Sequence, residues 1–187
     1  MDKHNTQDKV ILGFWIYLMT DLIMFAVLFA TFAVLRGNTF GGLPLHQLFS
    51  LPLVLKETLI LLTSSFTCGL AILAMSGNKK NQTWFWLVVT FLLGLSFLIL
   101  EITEFSHLIA DGHSWQNSAA LSSYFTLVGT HGLHIAVGLL WLIVTLVEIW
   151  LRGLNDSVTS KLTRFSLFWH FLDIVWIFIF TIVYLLP

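Results

Sequence analysis

Residues 83–109 read TWFWLVVTFLLGLSFLILEITEFSHLI. From Trp84 to Leu100 no charged side chain appears, and then Glu101, Glu104 and His107 arrive at three-residue spacing. An α-helix rises 1.5 Å per residue, so roughly 20 apolar residues cross a hydrocarbon layer about 30 Å thick. This run is long enough to span. Working outward from it, four further apolar stretches meet the same length requirement, and together the five lie at about 11–35, 54–77, 83–109, 121–150 and 165–186. The breaks between them are polar or turn-forming: Arg36-Gly37-Asn38 through Gly41, Gly42 and Pro44; Gly77 to Asn81; Asp111-Gly112-His113; and Gly153 to Lys161. The pattern predicts an all-α integral membrane protein, a single domain over 1–187 built as a five-helix bundle with antiparallel neighbours.

Composition agrees. Hydrophobic residues make up 57% and charged residues 10%, against roughly 45–50% and 25% in soluble domains. Mean hydropathy is +0.88. Nine basic against ten acidic side chains leave a formal charge of −1, which gives no electrostatic footprint for nucleic acid. The run from Val10 to Leu35 is too long for a signal-peptide core and lacks a small-residue cleavage site, so it reads as a retained first helix. Basic residues are asymmetric: Lys3, Lys9, Lys79, Lys80, Arg152, Lys161 and Arg164 fall on the side of the N-terminus, Arg36 and Lys56 on the other. The positive-inside rule then predicts a cytoplasmic N-terminus. Trp15, Trp84, Trp86, Trp115 and Trp150 lie near predicted helix ends, as interfacial anchors do. The lone Cys68 sits in an apolar run and reads as a packing residue.

Ionisable groups at membrane depth cost roughly 2.5–3.5 kcal/mol or more each, so they face protein or water and mark candidate sites. They are Asp21 in helix 1, Glu57 in helix 2, Glu101, Glu104 and His107 in helix 3, His131 and His134 in helix 4, and His170 and Asp173 in helix 5. Residues three apart are neighbours on a helical face, which predicts an inward polar stripe on each helix from the third onward. Glu104-Phe-Ser-His107 could be half of a di-iron carboxylate site, which needs a second Glu-x-x-His pair; only one is present. The competing reading is interhelical hydrogen bonding, about 0.6 kcal/mol per contact on average. His170 and Asp173 could relay protons or orient each other. Glu57 could be functional or could pair with Lys56 at the interface. Gly129, Gly132, Ala136 and Gly138 thin one side of helix 4 and suit it to the bundle centre. No phosphate loop, nucleophile elbow, His-Glu-x-x-His run or Cys-x-x-Cys-His haem attachment occurs.

Gly13 to Asp21, Leu28 to Phe32 and Glu57 to Ser65 resemble the pattern of haem-copper terminal oxidase subunit III. Glu101 to Ile109, Gly129 to Gly138 and Ser166 to Trp176 look like its remaining signatures. The chain is similar to the five-helix form found in bacterial quinol oxidases of the cytochrome bo type; caa-type cytochrome c oxidases also have short subunits III, so the electron donor stays open. The resemblance implies a non-redox subunit, itself non-catalytic, that supports assembly and stability of a proton-pumping quinol:O2 oxidoreductase of the bacterial inner membrane. It further implies haems and copper in partner subunit I, none in this chain, with subunits I, II and IV and membrane lipids as partners, phospholipid among them. Ubiquinol and O2 are met through the complex. Five-helix members lack a helix pair that extra helices of the large subunit supply, which implies an exposed groove here. Glu57 matches a membrane-embedded glutamate of the family, Glu101, Glu104, His107, His131, His134, His170 and Asp173 match polar positions between helices, and His131 and His134 are then structural.

Overall fold

The computed structural model describes residues 2–38, 51–112, 115–116 and 118–185, with side chains from residue 9 onward. Gly41, Gly42, Pro44, His113, the Lys3 side chain and the end of the last expected span lie outside the described residues. Five helices follow in order: α1 (Asp2–Leu35), α2 (Leu51–Ser76), α3 (Lys80–Ala110), α4 (Ala119–Arg152) and α5 (Asp156–Ile179), the last continuing into a π-helical turn (Phe180–Leu185). All five are long and apolar enough to cross a membrane.

Local chemistry sets the ends. The Ser118 hydroxyl accepts from Leu121 N–H at 3.1 Å and opens α4. Gly153 closes it at φ 71°, its N–H donating to Ile149 O, a conformation glycine reaches without steric penalty. Asn155 Oδ1 then accepts from Val158 N–H at 2.9 Å. That cap starts α5 at Asp156, so most of the expected loop from Gly153 to Lys161 is the polar first turns of the last helix rather than connection. Similarly, α2 begins at Leu51 with Pro52 in its first turn, where a missing N–H is harmless.

The helices bury a core of large apolar side chains, Trp169, Trp176, Phe25 and Phe97 among them, and are apolar on the outside as well. Leu12, Ile23, Phe66, Leu73, Leu133 and Trp150 are among the large apolar side chains that face outward, as lipid requires. Buried serines, threonines and ionisable groups are set among the core side chains where the helices meet: α2 lies along α3, α3 on α4, α4 on α5, and α2 also on α5. Helix α1 packs on α4 and α5. The expected centre, helix 4, shares that place with α5, half of whose most apolar window is buried, more than in any other helix. Lys80 Nζ donates to Trp150 O at 3.2 Å, and Lys161 Nζ to Glu148 at 2.6 Å. Those basic residues therefore gather at one end of the bundle.

Candidate functional site

Polar groups meet in three places. The first is enclosed by α2, α3, α4 and the end of α5. Glu57 is fully buried and Glu101 nearly so, 3% exposed. The two carboxyls and that of Glu104 lie within electrostatic reach of one another and of Tyr124. Neither Glu57 nor Glu101 has a hydrogen-bond partner among the described residues. Tyr124 and Tyr184 join hydroxyls at 2.9 Å, the π-helical turn carrying Tyr184. Glycine makes room here: a Cβ on Gly132 would stand 2.7 Å from Glu101 Oε1 and 2.9 Å from Oε2. His131, fully buried, is ringed by aromatics. Its ring centroid is 5.2 Å from Trp176, 6.0 Å from Phe97 and 6.3 Å from Phe25, and neither ring nitrogen has a partner among the described residues.

The second place is the α1–α4 seam, where Asp21 Oδ2 faces His134 Nε2 at 3.7 Å. The Thr130 carbonyl can only accept, so the 2.7 Å contact at His134 Nδ1 is an Nδ1–H donation to it. That fixes the ring with Nε2 toward Asp21. The third is between α2 and α5, where the Ser65 hydroxyl and His170 Nδ1 meet at 2.5 Å beside Asp173.

Several residues that sequence reasoning passed over knit these places together. Trp169 Nε1 donates to Ser64 Oγ at 3.0 Å, Trp176 Nε1 to Thr58 Oγ1 at 3.1 Å, and the Thr67 and Thr90 hydroxyls meet at 2.8 Å. The available signal was Ser64 and Thr67, small hydroxyls on the α2 face toward α5 and α3. Trp169 also fills a slot: a Cβ on Gly94 or Gly138 would come within 2.8 Å and 2.9 Å of its ring.

Two expectations change. Successive three-residue steps turn 300°, so each residue falls 60° short of the last; Glu101 is buried, Glu104 half-buried and His107 exposed. The Glu104–His107 pair thus straddles the helix edge rather than aiming inward. Lys56 points outward while Glu57 is buried, because adjacent helical residues diverge by about 100°; the expected interfacial ion pair is not made. On α5 the expected inward stripe holds for Asp173, which is buried, while His170 is half-buried at the edge of a recess between α2 and α5. Among the described residues no three His, Cys, Asp or Glu side chains converge as a metal-binding group, and a haem or metal does not fit a His131 enclosed by three aromatic rings. What remains is a set of acid-base and hydrogen-bonding groups at membrane depth. Beside it, an apolar groove of 530 Å³ runs between α1 and α5, walled by Trp15, Leu22, Phe29, Phe171 and Phe178 among others.

The sequence pattern of the family described as cytochrome c oxidase subunit III matches residues 2–186. The chain is 54% identical over 183 residues to the cytochrome bo(3) ubiquinol oxidase subunit 3 of Pseudomonas aeruginosa, covering 98% of this chain and 88% of that one. It is 47% identical over 176 residues to the quinol oxidase subunit 3 of Bacillus spizizenii, 94% of this chain and 86% of that one. With the cytochrome bo(3) ubiquinol oxidase subunit 3 of Buchnera aphidicola subsp. Schizaphis graminum, identity is 43% over 185 residues, 99% and 98% of the two chains.

Proposed function

Because the chain belongs to the cytochrome c oxidase subunit III family, we propose that it is the redox-free subunit III of a haem-copper quinol oxidase, holding the complex together. It is a multi-pass protein of the bacterial inner membrane. The observation that carries the quinol donor is the 54% identity over nearly the whole chain with a protein named as a ubiquinol oxidase subunit. That favours quinol over the cytochrome c of caa-type complexes. A stand-alone di-iron enzyme is disfavoured by the single Glu-x-x-His pair and by the outward His107.

On this reading, haems and copper reside in subunit I, and subunits I, II and IV with membrane lipids, phospholipid included, are the partners. The N-terminus is cytoplasmic, as the gathering of basic residues at one end of the bundle supports. The groove between α1 and α5 seats helices of the large subunit, since its concave walls offer a helix close van der Waals contact. Asp21, Glu57, Glu101, Glu104, His131 and His134 act as structural or proton-holding groups at the seams of α1 through α4. None is read as a ligand.

A reduced-minus-oxidised spectrum of material co-purified with the tagged chain under mild detergent tests this. Bands of b haem with o or a haem, and no c band, are expected, together with no haem in the isolated chain. An added c band would replace quinol with cytochrome c, and haem bound to the isolated chain would overturn the redox-free reading.

A further inference from the structure

We draw no further inference here: the strongest candidate, the buried cluster of Glu57, Glu101 and Glu104 where α2, α3 and α4 meet, belongs to the site already described and is a group of carboxyls with nothing beside it among the described residues that points to a ligand.

Discussion

The carboxyl of Glu101 rests on the backbone of Gly132, so close that a single added methyl would stand 2.7 Å and 2.9 Å from its two oxygens and 3.0 Å from its Cδ. Two helices thus meet through a carboxyl and a missing side chain. Gly132→Ala must displace that carboxyl within a buried site, and overpacking of this kind costs about 1–3 kcal/mol. In a Glu101→Ala background the clash is gone, so a double-mutant cycle should show coupling of about the same size and opposite sign. Denaturant unfolding of the assembled complex measures it. Equal penalties for Gly132→Ala in both backgrounds would mean that the carboxyl is not what glycine accommodates.

Trp169 is held between Gly94 of α3 and Gly138 of α4 while its indole N–H reaches Ser64 of α2. One side chain therefore ties α5 to three helices. Gly94→Ala and Gly138→Ala each push on the same ring, and each should destabilise by about 1–3 kcal/mol. Combined with Trp169→Phe, both should become milder, because the smaller ring leaves space. The check is thermal inactivation of the complex across the three single and two double variants; unrelieved penalties in the Trp169→Phe background would remove the slot from the account.

Hydropathy made the five spans legible because bilayer thickness alone dictates their length. It misplaced the start of α5, since residues 156–164 are polar helix beyond the apolar run, and the sign was local: Asn155 as cap with Asp156 in the first turn. The nine ionisable residues were legible as exceptions in an apolar chain. Their directions were not, because those depend on which helix packs where. Glu101 faces in and His107 out through the 60° shortfall of each three-residue step, while on α5 Asp173 is buried at the α2–α5 seam and His170 only half-buried. The serines and threonines of α2 that bond Trp169 and Trp176 carry no sequence signal of comparable strength, since hydroxyls in membrane helices usually bond their own preceding turn, as Thr58 also does with Val54 O.

The cap at Asn155 gives a prediction at the bundle's polar end, where membrane packing contributes little. Asn155→Ala removes the acceptor for Val158 N–H and should cost about 0.5–2 kcal/mol; Asn155→Asp should be neutral or better, since a carboxylate at a helix N-terminus is favoured. Amide hydrogen exchange over residues 156–161 reads the effect directly. Unchanged protection in Asn155→Ala would show that the first turns of α5 hold without the cap.

Asp21 and His134 join α1 to the bundle across 3.7 Å, with the imidazole pinned from behind by the Thr130 carbonyl. Because α1 packs mainly on α4 and α5, this polar contact and the Phe25 ring at 5.3 Å from His134 are central to its attachment. Asp21 Oδ2 makes no hydrogen bond among the described residues, so the facing imidazole is its ion-pair contact, and removing that contact together with the ring's packing costs about 1–3 kcal/mol. His134→Ala should therefore lower the yield of intact complex about fivefold or more, while O2 reduction per assembled haem stays within about twofold. Glu101→Ala should lower the yield likewise for α3, through the cavity it leaves in a buried seam. Removing both partners, Asp21→Ala with His134→Ala, should recover part of the yield, since no polar atom is then left unserved. The measurement is haem content per tagged chain alongside oxygen consumption per haem. A normal yield with abolished turnover would move these residues from packing to proton chemistry, and a double variant no better than His134→Ala would show that the buried carboxyl is not the source of the loss.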